Sequence, residues 1–233
     1  MLSLSVGIYT ASSCTRAFNS LSKHTFPQPK ELKIQLAHQS FAQEEYTLPS
    51  CAALEALHIG SIPLIFDNST FELLTLVIIT DYDLSAKGFH ALSKAAPQLA
   101  GLVLWSVTMD TVDPRPFRFP AVSSLTLLGI QRYRELLDCI DAPALESLEI
   151  SGCSLDALTD AALDRRGIRS FSTVHTLSCG NIQSSSEALG DCALLTYMPN
   201  TTTLVVHQSR GREDRMSGSS LREILHSCLR SKP

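Results

Sequence analysis

Three stretches of the chain, AAPQLAGLVL, RFPAVSSLTL and DAPALESLEI, share the pattern Pro-x-Leu/Val-x-x-Leu-x-Leu/Ile. Their prolines, Pro97, Pro120 and Pro143, are spaced 23 residues apart both times. Even spacing constrains a fold more tightly than any one motif. A short supersecondary unit cannot bury its apolar face alone, so a unit that recurs must stack on copies of itself. Weaker copies start at Pro29 (PKELKIQL), Ala52 (AALEALHI), Thr70 (TFELLTLVI), Ser172 (STVHTLSC) and Pro199 (PNTTTLVV). With the second apolar position as anchor, the rungs fall at Ile34, Leu57, Leu76, Leu102, Leu125, Leu148, Leu177 and Leu204.

The anchors are 19 to 29 residues apart, with a mean of about 24, the period of leucine-rich repeats. The extended pattern L-x-x-L-x-L-x-x-N/C-x-L is met by Leu145, Leu148, Ile150, Cys153 and Leu155. Near-matches are Leu54, Leu57, Ile59, Ile62 and Leu64, and Leu99, Leu102, Leu104, Val107 and Met109. In each rung the alternating L-x-L residues point into a shared core and expose the residue between them. Proline is expected to end the preceding helix and feed the strand, because it lacks an N–H and biases its predecessor to extended geometry. Helical connectors are expected at 85–96, 133–140, 155–163 and 184–195, from apolar spacing and, at Ser184 and Glu187, a capping box. TVDPRPFRFP (111–120), with three prolines, is expected to be a loop.

The fold expectation is therefore α/β: one curved, right-handed leucine-rich-repeat solenoid over residues 1–233, with a parallel concave sheet and an irregular helical and loop convex side. Repeats occupy about 29–210, a partial repeat 1–28, and a capping helix about 219–230, which Ser220 and Glu223 would start. The phrases GFHALSKAAPQLAGLVL and APALESLEISGCSLDALTDAAL resemble the leucine-rich-repeat region of F-box proteins, especially the irregular repeats of large fungal families. The resemblance implies a module that holds a substrate for a cullin-type ubiquitin ligase. No F-box is legible, since Leu48-Pro49 leads into a rung and not into a helix pair, so the resemblance does not extend to binding the ligase adaptor. A stand-alone structural repeat protein is the alternative.

The residues flanking the inward leucines would form the binding face. In the register above its apolar centre comprises Val77, Ile79, Val103, Trp105 and Leu128, with Glu149 beyond them. Protein partners are expected there, because contiguous exposed apolar surface marks interaction sites and tryptophan is enriched among binding hot spots. Other functions find little support. A net charge of −4 without a basic stripe disfavours nucleic acid, and the apolar run LLTLVII is too short to span a bilayer. The opening MLSLSVGIYTASSC lacks the basic start of a signal peptide. Seven cysteines without CxxC spacing read as buried thiols of a cytoplasmic or nuclear protein, with no metal or other cofactor. Gly152-x-Ser154 after a strand resembles a nucleophile elbow, but Asp156 stands where the second glycine belongs, and the repeat explains the same residues. No enzyme activity is expected, a serine hydrolase on Ser154 being the weaker alternative.

Overall fold

The computed structural model describes residues 3–8, 16, 29–36, 46–48, 51–62, 64–66, 71–81, 83–84, 86–109, 116–130, 133–152, 171–180 and 198–207. Nine strands form one sheet: β1 (Ser3–Ile8), β2 (Glu31–Leu36), β4 (Ala56–Gly60), β6 (Leu76–Thr80), β8 (Gly101–Trp105), β11 (Ser124–Leu128), β13 (Ser147–Ser151), β14 (Thr176–Gly180) and β15 (Thr203–His207). Neighbours in the sheet follow chain order, and every pair is parallel. Parallel neighbours require a crossover for each strand, so chain-order stacking makes this a solenoid. Residues 3–8 thus supply a ninth strand ahead of the eight rungs.

The register aligns Leu32, Leu57, Val77, Leu102, Leu125, Leu148, Leu177 and Leu204 in one row, and Ile34, Ile59, Ile79, Leu104, Leu127, Ile150, Cys179 and Val206 in a second. From β2 to β14 both rows are buried. Each fully buried aliphatic side chain contributes about 1.5–3 kcal/mol relative to exposure, so these rows are the main source of cohesion between rungs. At the two outer strands, β1 and β15, the inward residues Leu4, Val6 and Leu204 are only partly buried.

A four-residue turn precedes seven of the strands. Its first carbonyl accepts from the N–H three residues on: Cys51–Leu54, Phe71–Leu74, Ala96–Leu99, Phe119–Val122, Ala142–Leu145, Phe171–Val174 and Met198–Thr201. Pro97, Pro120, Pro143 and Pro199 each occupy the second position of such a turn. Proline's fixed φ suits that position in the common turn types. The phased prolines are therefore turn residues, and stopping a helix is secondary. Pro120 follows the two-residue strand β10 (Phe117–Arg118), with no helix adjoining it.

The carbonyl just before each strand then accepts two N–H groups from the next rung. Lys30, Glu55, Thr75, Ala100, Ser123, Glu146 and His175 all act this way. Thr75, Ser123 and Thr202 add a side-chain hydroxyl donated to the preceding carbonyl of this series, at 3.2, 3.4 and 3.3 Å. At the other end of the strand, five consecutive rungs end in the left-handed backbone region at Ser61, Asp81, Ser106, Gly129 and Gly152. The N–H of each donates to the last carbonyl of the following strand, at 2.8–3.0 Å. The left-handed bend turns the chain out of the sheet while keeping that donor satisfied.

Two helices are described. α1 (Ala86–Ala95) buries Phe89, Leu92 and Ala95 at helical spacing and leaves Lys87 and Lys94 outward. Phe89 packs edge-on against Phe117 and Phe119, with ring centroids 4.8 and 5.1 Å apart. α2 (Tyr133–Cys139) buries Leu136, Leu137 and Cys139. Both helices match the expectations at 85–96 and 133–140. The turns of these two helical rungs begin with a small residue (Ala96, Ala142), whereas Phe119 fills that position after the extended β10.

The remaining strands are short. β3 (Tyr46–Thr47) pairs with β5 (Leu64–Ile65), β7 (Asp83–Leu84) with β9 (Thr108–Met109), and β10 with β12 (Ile140–Asp141), all parallel. Within the expected loop 111–120, residues 117–118 are thus extended and paired. The expected helices at 155–163, 184–195 and 219–230 lie outside the described residues.

Candidate functional site

The sheet has one face on the core and one away from it. The outward face is a grid of three columns. The first runs Ser3, Glu31, Ala56, Leu76, Gly101, Ser124, Ser147, Thr176 and Thr203, and the middle one Ser5, Lys33, His58, Ile78, Val103, Thr126, Glu149, Ser178 and Val205. The third runs Gly7, Gln35, Gly60, Thr80, Trp105, Leu128, Ser151, Gly180 and His207.

Val103, Trp105, Leu128 and Glu149 lie on this face, as the L-x-L alternation predicts, and Val77 and Ile79 do not. Val77 is 0% and Ile79 1% exposed, in the core rows beside Leu57 and Leu102 and beside Ile59 and Leu104. The anchor at Leu76 is one residue early, and in a strand that displacement exchanges the two faces. The residues that β6 presents outward are Leu76, Ile78 and Thr80, and sequence reasoning, with Leu76 as an inward anchor, misses this phase at all three. The turn carries the signal that would have found it. Leu54, Leu99, Val122 and Leu145 each close a turn three residues before the first inward residue, and Leu74 does the same for Val77. The anchor at Ile34 is two residues late, since Leu32 is the partner of Leu57, but an even slip leaves the faces unchanged.

The apolar outward residues adjoin one another across β6, β8 and β11. Ile78 pairs with Val103, and Trp105 with Leu128. Leu76 lies over Gly101, whose absent Cβ would sit 3.0 Å from its Cδ1. The Trp105 ring reaches toward the end of the next rung, with Cδ1 4.0 Å from the point a Cβ on Gly129 would occupy. Trp105 is 54% exposed, and Leu73, in the turn before β6, 52%. Beside them Thr80 is nearly buried, its hydroxyl 3.5 Å from the Ile59 carbonyl.

Polar zones lie to either side. Toward the N-terminal rungs are Glu31, Lys33 and His58, with Lys30 and Glu55 joined in an ion pair beyond the strand ends. Partial burial lowers the His58 pKa, as does Lys33, its register partner on the adjoining strand, against a smaller opposing pull from Glu31. Toward the C-terminal rungs the face carries hydroxyls, among them Ser124, Thr126, Ser147, Thr176 and Ser178, around Glu149. No described residue of β6, β8, β11, β13 or β14 is Lys, Arg or His.

No group of three or more His, Cys, Asp or Glu among the described residues could hold a metal ion. No helix among them is long and apolar enough to cross a membrane. Cys51, Cys139 and Cys179 are buried, and burial raises the Cys51 pKa. Gly152 has φ +71° and its absent Cβ would meet the Gly129 backbone nitrogen at 3.3 Å, so it ends its rung as Gly129 does. Cys153, Ser154 and Leu155 lie outside the described residues. No protein-family model matches the chain, and a search of curated proteins finds no match.

Proposed function

We propose that the chain is a leucine-rich-repeat protein that binds a protein partner on the outward face of its sheet, centred on Trp105. The observation that carries this reading is the exposed Trp105 beside Leu128, Val103 and Ile78 in the middle of a nine-stranded parallel sheet. A half-exposed indole on a rigid strand, ringed by aliphatic groups, suits a binding hot spot because it is already ordered before a partner arrives. Recognition fits this surface better than catalysis, since its centre carries no titratable side chain. The finer form of the proposal, from the resemblance to F-box proteins, is a substrate receptor of a cullin-type ubiquitin ligase working in the cytoplasm or nucleus. A helical convex side belongs to the same reading, and α1 and α2 support it.

The test is affinity capture with the purified full chain, comparing wild type, Trp105→Ala and, as a control on an exposed helical residue, Lys87→Ala. Partners retained by wild type and the control but weakened by Trp105→Ala are expected. The loss should approach 2 kcal/mol, about thirtyfold in affinity. Recovery of the ligase adaptor would favour the ligase form. Equal recovery with all three chains would refute the Trp105 face as the binding site.

A further inference from the structure

The proposed docking face has a charge character that narrows its partner, an inference that rests on the reading of that face as a binding surface. The apolar cluster on β6, β8 and β11 is bordered by acids at the strand ends and on the β13 side, and by His58 and Lys33 on the β4 side. Glu149 is two strands from Val103 in the same column, roughly 10 Å away at ordinary strand spacing. Asp81 is exposed at the end of β6, its N–H bonded to the Trp105 carbonyl at 2.9 Å. Glu72, beside exposed Leu73, and Glu146, before β13, are exposed at the opposite ends of the strands. Residues 71–81, 97–109, 119–130 and 141–152 contain no Lys, Arg or His, and His175 adjoins Glu146 from the next rung. The one other acid in those segments, Asp141, faces Arg118 at 3.9 Å. Lys30 and Lys33 belong to β2 and its approach, where Glu55 and Glu31 accompany them. An apolar surface on which carboxylates outnumber cations among the described residues attracts apolar side chains flanked by cations and repels those flanked by acids.

We infer that the partner is a protein segment with an aromatic or aliphatic anchor next to lysine or arginine, seated on Ile78, Val103, Trp105 and Leu128 with its cations toward Asp81 and Glu149. An acidic or phosphorylated segment would be excluded from the same place, as would nucleic acid, by like charge.

Panning a displayed library of random dodecamer peptides on the immobilised full chain tests this, with subtraction on Trp105→Ala after its fold is checked by circular dichroism. Should that variant not fold, Leu128→Asn takes its place in the subtraction. The expected result is peptides that join an apolar anchor to Lys or Arg, bind more weakly as sodium chloride rises, and lose roughly two- to fivefold in affinity for each of Asp81→Lys and Glu149→Lys. Peptides that need Trp105 but carry neutral or acidic flanks would overturn this inference and leave the docking face intact. Equal enrichment on wild type and the subtraction variant, or none on either, would overturn both.

Discussion

Val77→Thr and Val103→Thr make the same chemical change on neighbouring strands. Each replaces a methyl with a hydroxyl and keeps the shape and the β-branch. Val77 is fully buried between Leu57 and Leu102, and neither neighbouring side chain offers an acceptor. Losing one buried methyl costs about 0.8 kcal/mol, and burying an unsatisfied hydroxyl adds about 1–3 kcal/mol. Val77→Thr should therefore lose on the order of 3 kcal/mol. Val103 is partly exposed on the outward face, where water reaches a hydroxyl, so its variant should stay within about 0.5 kcal/mol of wild type. Urea unfolding followed by far-ultraviolet circular dichroism measures both, and the displacement of the midpoint is the readout. A shift of the same size in the two variants would refute the opposite facing of Val77 and Val103, and with it the apolar patch as drawn.

Three further outcomes follow from the geometry. Gly152→Val should cost about 1–3 kcal/mol through its positive φ and the close Gly129 backbone. Gly129→Asn should be milder, since Ser61, Asp81 and Ser106 hold the equivalent conformation; equal losses in thermal melts would contradict that. The lowered pKa of His58 means that the folded state binds its proton less readily than the unfolded chain does. Stability due to neutral His58 is thus intact above pH 6.5 and declines as pH falls through that unfolded value toward the lowered folded one. His58→Gln should flatten the melting temperature in that window, and an unchanged slope would exclude the effect. Cys51 should resist alkylation in the native protein at about pH 8 and react on unfolding, as mass spectrometry would show, because burial disfavours its thiolate.

The repeat is legible in the sequence because Pro97, Pro120 and Pro143 mark the same turn position three times at equal intervals, and alternation is clear wherever outward residues are polar, as in SLEIS. Around β6 both faces are apolar, and LLTLVII, apolar everywhere but Thr75, has no alternation from which to read a phase. Hydrophobicity alone cannot tell which of Leu76 and Val77 faces inward; the turn closed by Leu74 decides it. For Trp105, Val103, Leu128 and Glu149 the phase of the strong rungs is enough to place them on the outward face. The left-handed rung ends can be suspected only at Gly129 and Gly152, because Ser61, Asp81 and Ser106 carry no glycine to announce them. The doubled carbonyl acceptors have no sequence signature, since backbone atoms make them.

Those acceptors have a further consequence. Successive inward residues are as few as 20 positions apart, from Leu57 to Val77, and as many as 29, from Leu148 to Leu177. Yet the sheet register continues without a slip, because each strand is fixed at entry by a carbonyl of the previous rung and not by the length of chain between them. The outward grid is thus insulated from its connectors. The number of residues between rungs can differ while the positions within the sheet keep their register, at about 4.8 Å from one rung to the next. On the proposed reading of this face as a docking surface, recognition and connectivity are separate inheritances, a partition that would let one scaffold change what it holds by single substitutions on the grid.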